Sequence, residues 1–422
     1  MSDRGPNPHT QLRRSGGLGE LAHSLQQERR RRVAAAPKLP RRNLVLAILA
    51  AALLIVVLSI WLWPEIRVNL QAAAVLDLVA NQPVPEPLRF TVRDHVAVED
   101  LAIPSASGPV RARLYTPIEQ PHAPALVVLH GVHYLGIDEP RLIAFATAMS
   151  ACGLRVLTPE LPDIKDYHVG ANSIGTIGES VEWMSHQAGG EPVGIMGLSF
   201  SGGLALLAAA DPQFRHSIKF VLAVGSQDEM QRVSAYYRTG EDIRPNGTEE
   251  LLPPHEYGPL VLEYENLADF VPPADVAPIR AVLRAHLYED MPAETAAMAK
   301  LTTRQTAEAK ALMDTESRST RALLAKAEAK HVADMAGVSP HGHLSQLTVP
   351  VYLLHGAGDN IIPAAETLWM ESELPTTTLK AALISPVLSH LDLDSAGPGI
   401  TDNAKLVHFF ALVLREAETK ST

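Results

Sequence analysis

The sequence has almost no cysteine, since Cys152 is the single one in 422 residues. One thiol excludes a disulfide within the chain and a metal centre built on several cysteine ligands. Cys152 lies between a predicted helix end and Gly153, so we interpret it as a buried, unreactive thiol. Many exported proteins lack disulfides, and the cysteine count therefore leaves the cellular compartment open.

Basic charge is scarce beyond the first 43 residues. Residues 1–43 contain ten Lys and Arg against three Asp and Glu, a sum of +7 within a net charge of −11. Subtraction leaves −18 for residues 44–422. Such an acidic body argues against nucleic acid as a partner. The tail has little apolar surface, so we predict disorder there. A nucleic-acid arm built on the arginine block 29–32 is the alternative.

Motifs for cofactor chemistry are missing too. We find no Gly-rich phosphate loop, no dinucleotide fingerprint and no His-Glu-x-x-His segment. His341 and His343 flank a glycine, but two imidazoles without an acidic partner nearby are a weak metal signal. The sequence therefore predicts neither a cofactor nor a metal site.

One long hydrophobic run is present. Residues 44–63 are twenty residues without a charge, enough for a helix to span a hydrocarbon core of about 30 Å. Two tryptophans near its end fit an interfacial belt, and Pro64 ends the run. Two arginines precede it, so the positive-inside bias predicts a single-pass membrane protein with residues 1–43 in the cytoplasm and the body on the extracytoplasmic side. We predict an uncleaved signal anchor. A cleaved signal peptide is the alternative, although the run is long for one and no Ala-x-Ala site follows closely.

After the run, residues 64–87 read as a short helix and a Pro-rich linker that would hold the body away from the bilayer. From residue 88, strand and helix patterns alternate. Besides the segment discussed next, predicted strands cover 96–103, 110–115, 125–129, 154–157, 220–224, 349–355 and 379–384, and predicted helices cover 139–151, 174–187, 361–372 and 401–417. This alternation predicts an α/β fold with a doubly wound, mostly parallel sheet and a ligand crevice at the carboxyl ends of its strands. Residues 227–346 interrupt it without a clear strand, and we predict a helical cap insertion.

The most informative stretch is residues 192–203. An apolar run enters a corner of small residues around Ser199, and a helix-like run follows at once. A strand, a sharp turn and a helix would hold the Ser199 hydroxyl above the sheet edge, beside the amides that begin the helix. Nucleophilic catalysis needs an accessible hydroxyl, a base within reach and N–H donors for an oxyanion. Taken alone, the segment also permits Ser199 to cap the following helix and nothing more.

The Gly-x-Ser-x-Ser segment centred on Ser199 resembles the Gly-x-Ser-x-Gly nucleophile elbow of the α/β-hydrolase family, with Ser201 in place of the last glycine. Asp359 follows the strand 349–355 in a His-Gly-x-x-Asp loop that is similar to the acid loop of that family. His390 comes six residues after the last predicted strand. The chain order Ser199, Asp359, His390 matches the nucleophile, acid and histidine of the family. The resemblance covers residues 88–226 and 347–417.

The resemblance also implies an oxyanion hole. His130-Gly-Val132 is similar to the oxyanion strand end of the family, so the backbone N–H groups of Val132 and Phe200 would hold the oxyanion, with His130 holding the loop. Asp228 is the alternative acid, because it follows the strand 220–224, where some members carry their carboxylate.

Together these features predict a membrane-anchored serine hydrolase that acts on a small-molecule acyl substrate, with carboxylic ester cleavage through an acyl-enzyme as the expected reaction. A serine nucleophile argues against family members that use aspartate. An acyltransferase or peptidase with the same triad is one alternative, and a catalytically silent binding or scaffold protein is the other. We expect the cap to line the substrate pocket.

Overall fold

The computed structural model describes residues 41–93, 95–388 and 399–419. The chain divides into two units, Met1–Pro64 and Glu65–Thr422. Helix α1 (Arg41–Val79) begins in the first unit and continues into the second. Its residues up to Pro64 are the described part of the first unit. An 18-residue window within Ile48–Val79 has a mean hydropathy of 2.1. Among the described residues, α1 is the one helix long and apolar enough to cross a membrane.

Pro64 ends the apolar run but not the helix, because it lies inside α1. A proline removes one backbone N–H donor and its ring crowds the preceding turn, yet long apolar helices tolerate this. Past Pro64, the short helix expected within residues 64–87 is present as the second half of α1, but it packs on the body. Val68, Ala72 and Val75 are buried in the apolar core of the second unit. Their three- and four-residue spacing gives this part of α1 one apolar face, and that face packs on the body.

The second unit contains ten strands and thirteen further α-helices among its described residues. The strands are β1 (Val96–Ile103), β2 (Val110–Pro117), β3 (Ala125–Leu129), β4 (Arg155–Pro159), β5 (Val193–Leu198), β6 (Ile218–Val224), β7 (Glu241–Ile243), β8 (Glu249–Leu251), β9 (Val351–Gly356) and β10 (Leu379–Ser385). The helices are α2 (Pro140–Ala151), α3 (Pro162–Lys165), α4 (Asn172–Gln187), α5 (Phe200–Ala210), α6 (Met230–Thr239), α7 (Tyr257–Glu265), α8 (Pro273–Leu287), α9 (Met291–Met298), α10 (Thr303–Met313), α11 (Arg318–Lys330), α12 (Val332–Gly337), α13 (Ala365–Glu373) and α14 (Ile400–Glu418).

Eight strands form one sheet in the order β1-β2-β4-β3-β5-β6-β9-β10. The pairs β1–β2 and β2–β4 are antiparallel, and the other pairs are parallel. Strands β3 and β9 are buried along their whole length, because apolar clusters cover both faces of the sheet. The predicted doubly wound, mostly parallel sheet is confirmed. Every strand predicted for it is present, with ends shifted by a few residues.

The insertion is helical, as expected, and contains α6 to α12. It also holds a small antiparallel hairpin, β7–β8, where the sequence shows no clear strand. The hairpin forms around a Pro-Asn-Gly turn in which Gly247 has φ +79°, a conformation that glycine adopts at little cost. Strands of three residues are too short to produce a readable alternation, which is why the sequence pattern missed them.

Candidate active site

Ser199 lies at the corner between β5 and α5, with φ 55° and ψ −136°. A non-glycine residue held at positive φ costs about 1–3 kcal/mol and persists only where its surroundings impose it. Here the Ser199 N–H donates to the Val224 carbonyl of β6 at 2.8 Å. Ser199 is 3% exposed and lines a cavity.

The crowding around this corner requires glycine at two positions. A Cβ atom on Gly197 would lie 2.4 Å from the Gly202 Cα. One on Gly202 would lie 1.9 Å from the Ser226 Oγ. The missing side chain at Gly197 lets β5 and α5 approach this closely, and the missing side chain at Gly202 leaves room for Ser226 after β6.

Ser201, the departure from the family pattern, has a role of its own in the structure. Its side chain is fully buried, and its hydroxyl donates to the His130 carbonyl at 2.6 Å. The hydroxyl therefore links the first turn of α5 to the loop that follows β3. The sequence around Ser201 indicates only a small residue, and no local pattern points to this hydrogen bond.

The same loop carries Val132, and His130 orients it. The His130 Nε2 accepts the Leu161 N–H at 2.9 Å, so the proton lies on Nδ1, which donates to the Gly131 carbonyl at 2.8 Å. Burial lowers the pKa of His130 to about 4 and keeps the ring neutral. The Gly131 carbonyl and the Val132 N–H belong to one peptide unit, so this bond fixes the direction of that N–H.

Val132 and Ser199 come together because β3 and β5 are neighbours in the sheet. Both residues line one cavity. The Tyr257 hydroxyl of the insertion donates to the Val132 carbonyl at 2.7 Å and holds the next peptide unit as well. Phe200 is the first residue of α5, where a backbone N–H has no acceptor within the helix and the helix dipole favours negative charge.

Asp359 lies three residues after β9 and is 1% exposed. One of its carboxylate oxygens accepts the N–H groups of Ile361 and Ile362, at 2.9 and 3.0 Å. The order β5-β6-β9 leaves one strand between the ends that carry Ser199 and Asp359, a separation of about 10 Å. One imidazole can bridge such a gap. His390 lies outside the described residues.

His355, which sequence analysis left without a role, supports the acid loop. Its Nδ1 lies 2.7 Å from the Thr367 hydroxyl, and its Nε2 lies 2.9 Å from the Ile362 carbonyl. The same Nε2 is 3.4 Å from an Asp359 oxygen. The His-Gly-x-x-Asp pattern contained this residue, but its hydrogen bond to Thr367 depends on α13.

Asp228, the alternative acid, belongs to a buried ion-pair network. It accepts from Arg232 at 2.8 Å, and the same guanidinium donates to Glu366 at 2.6 Å. Burial, Glu366 and Glu373 raise the pKa of Asp228 to about 7.

His341 also has the acidic neighbours that its sequence context lacked, since ligand atoms of Asp228, His341 and Glu373 lie within 4.8 Å of one another. Arg232 already supplies a positive charge to Asp228.

The cavity beside Ser199 has a volume of about 480 Å³. Only three of its lining residues, His255, Tyr257 and Glu289, come from the insertion. The expectation that the cap lines the pocket therefore holds in part. Leu76 and Val79 of α1 also line it, which the sequence did not indicate.

The strand order and the strained strand–serine–helix corner define the α/β-hydrolase fold. A comparison with family models and a search of curated proteins each found no match. Among solved structures, the chain is similar to acylaminoacyl peptidase from Pyrococcus horikoshii, with 14% identity, a TM-score of 0.44, and coverage of 78% of this chain and 42% of that one. It is also similar to Est1E from Butyrivibrio proteoclasticus, with 14% identity, a TM-score of 0.41, and coverage of 76% and 99%.

A third similar structure is 2-hydroxy-6-oxo-6-phenylhexa-2,4-dienoate hydrolase from Rhodococcus, with 18% identity, a TM-score of 0.36, and coverage of 70% of this chain and 92% of that one. The chain spans about two fifths of the length of the peptidase. Likenesses of this strength fix neither the activity nor the substrate of this chain.

Proposed function

We propose that this protein is a membrane-anchored serine hydrolase that cleaves carboxylic esters through an acyl-enzyme on Ser199. The observation that carries the proposal is the positive φ of Ser199 at a corner that opens on a cavity. A serine that only capped α5 would accept hydrogen bonds from the helix in an extended conformation, and its side chain makes no cap hydrogen bond.

In the proposed mechanism, the Ser199 Oγ attacks the ester carbonyl carbon while His390 takes its proton. Asp359 orients the imidazole and stabilises its cation. The tetrahedral intermediate collapses, the C–O bond to the alcohol breaks, and His390 returns the proton to the departing oxygen. Water then attacks the acyl-enzyme by the same steps in reverse order, which releases the acid and restores Ser199.

The hydrogen bonds around the site support these roles. Two backbone N–H groups donate to the Asp359 carboxylate and hold it in one orientation. The proposed oxyanion donors are the N–H groups of Val132 and Phe200. One such donor contributes about 3–4 kcal/mol to the transition state, and His130 fixes the direction of the Val132 N–H before substrate binds.

The nucleophile is tested by labelling the full chain with a fluorophosphonate probe. We expect labelling of the wild type and none of Ser199→Ala. Absence of labelling on folded wild-type protein would favour a silent binding protein instead. The acid is tested by comparing Asp359→Asn with Asp228→Asn. Loss of turnover in Asp228→Asn alone would transfer the acid role to Asp228.

Peptidase and acyltransferase chemistry would use the same machinery. The reaction class is tested with an ester and an amide of the same acyl group, each with and without an added alcohol acceptor. Ester hydrolysis predicts faster turnover of the ester and free acid as the main product. A faster amide reaction, or transfer to the alcohol as the main product, would replace the ester assignment.

For the membrane, we propose that α1 anchors the chain with residues 1–43 in the cytoplasm. The support is its length, its mean hydropathy and the basic residues before it. A reporter that is active only outside the cytoplasm, fused after residue 422, is expected to be active. Activity only of a cytoplasmic reporter at that position would reverse the orientation.

A further inference from the structure

The cavity beside Ser199 has an apolar part and a polar part. The apolar part comprises side chains of one apolar cluster on one face of the sheet. Its members include Leu76 and Val79 of α1, Phe145 of α2, Met196 of β5, Leu354 of β9 and Phe410 of α14. Helices and strands distant in sequence therefore contribute apolar side chains to one part of the cavity, whereas its charged lining residues among those described are Glu139, Arg141 and Glu289.

Helix α1 contributes a wall of this apolar part. Leu76 and Val79 are three residues apart, so they lie on one face of the helix, and both are partly buried. The opposite side is closed by buried side chains, since Met196 is 2% exposed and Leu354 is 1% exposed. A substrate group that fills this space loses contact with water, so it must itself be apolar.

The polar part of the cavity is open to solvent. Its lining includes Arg141, His255 and Glu289, and all three are exposed. In ester hydrolysis the alcohol leaves before water attacks, whereas the acyl group stays bound to the serine. The solvent-exposed part therefore suits the departing alcohol, and the enclosed apolar part suits the acyl chain.

We infer that the substrate of this site carries an apolar acyl chain that lies between the sheet and helix α1, with Leu76, Val79 and Phe145 setting the chain length it accepts. This inference rests on the proposed function for the reaction and on the cavity for the substrate. The cavity volume of about 480 Å³ is within the range of small-molecule sites.

The expected effect follows from the transfer of methylene groups out of water. Each buried methylene is worth about 0.8 kcal/mol, which corresponds to a rise of about fourfold in kcat/KM. For the full chain in lipid nanodiscs, we expect kcat/KM for p-nitrophenyl esters to rise from acetate towards octanoate. Butyrate esters of alcohols of increasing length test the opposite arrangement, in which the alcohol occupies the apolar part of the cavity. A response to the length of the alcohol and none to that of the acyl chain would overturn the inference.

The matched variants are Leu76→Trp and Leu78→Trp. Both place the same side chain on α1, but Leu78 does not line the cavity. If Leu76→Trp fills the space of two methylenes, the ratio of kcat/KM for octanoate to kcat/KM for acetate falls by about fifteenfold. Leu78→Trp is expected to leave the chain-length profile unchanged. Equal effects of the two variants would contradict the role of Leu76.

A second variant covers the case in which Leu76→Trp does not fold. Phe145→Ala enlarges the same space, and we expect the preferred acyl chain to become longer. A profile unchanged in folded Phe145→Ala, verified by its thermal unfolding transition, would count against the pocket.

Phosphonate labelling separates the inference from the proposed reaction, because it requires no turnover of an ester. We expect an octylphosphonate ester to label Ser199 faster than its methyl analogue, and Leu76→Trp to remove the difference. If no ester is hydrolysed but this difference appears, the proposed reaction is wrong and the chain pocket stands. If the two phosphonates label at equal rates, the pocket is wrong whatever the reaction.

Discussion

Replacing Ser201 by alanine tests how the corner at Ser199 is joined to the loop after β3, which carries the proposed oxyanion donor Val132. The substitution removes the hydroxyl that donates to the His130 carbonyl at 2.6 Å and deprives this buried carbonyl of that donor. Losing one partner of a buried hydrogen bond costs about 1–3 kcal/mol of unfolding free energy. The loop also gains freedom to move the Val132 N–H away from the developing oxyanion.

The catalytic cost can be bounded from the same geometry. A complete oxyanion donor contributes about 3–4 kcal/mol, and the His130 bond to Gly131 still orients the Val132 peptide in the variant. We therefore expect a partial loss of about 1.4 kcal/mol, which lowers kcat by about tenfold. KM is expected to change little, because the donor acts mainly in the transition state.

The assay compares kcat and the thermal unfolding of Ser201→Ala with those of Ser180→Ala. Ser180 is also buried and donates to a backbone carbonyl, that of Thr176 at 2.7 Å, but within helix α4. The control is expected to lower stability with kcat unchanged. If both variants lose stability alike and neither loses kcat, the Ser201 bond is structural only, and its link to the oxyanion loop is refuted.

Three further predictions concern stability, measured by unfolding of the full chain. Gly202→Ala is expected to be strongly destabilised, because its Cβ would lie 1.9 Å from the Ser226 Oγ; wild-type stability in folded Gly202→Ala would contradict the crowding. Burial raises the pKa of Glu263 to about 9, well above its ordinary value of 4.5, so its contribution to stability is greatest below pH 4.5 and is lost as the pH rises towards 9. Glu263→Gln is expected to flatten this pH dependence, and an unchanged slope would argue against a buried neutral carboxyl. Arg232→Ala is expected to cost about 3–5 kcal/mol, because it leaves the buried Glu366 carboxylate unpaired; a cost below about 1 kcal/mol would place that pair in the class of exposed ion pairs.

Local patterns predicted much of the fold and of the site. A run of apolar residues that ends in a corner of small residues indicates a buried strand and a turn wherever it occurs, and the corner at Ser199 follows this rule. Asp359 follows β9 at the same edge of the sheet, because parallel strands all end there. Its placement beside His390 stays a prediction, since His390 lies outside the described residues.

Contacts between distant segments could not be read in this way. Ser201 and His130 are 71 positions apart, and the residues next to either one in the sequence do not indicate their contact. The acidic neighbours of His341 likewise come from the loop after β6 and from α13, so the sequence context of that histidine indicated none.

The second half of α1 shows which features the local sequence determines and which depend on the tertiary structure. Its apolar spacing determined that residues 65–79 form a helix with one buried face, because helix periodicity is a property of the local chain. The identity of the surface that covers this face was decided only by the folded sheet, since the hydrophobic effect has no direction and favours any apolar partner. That partner is the face of the sheet beside Ser199, and Leu76 and Val79 became walls of a cavity for that reason.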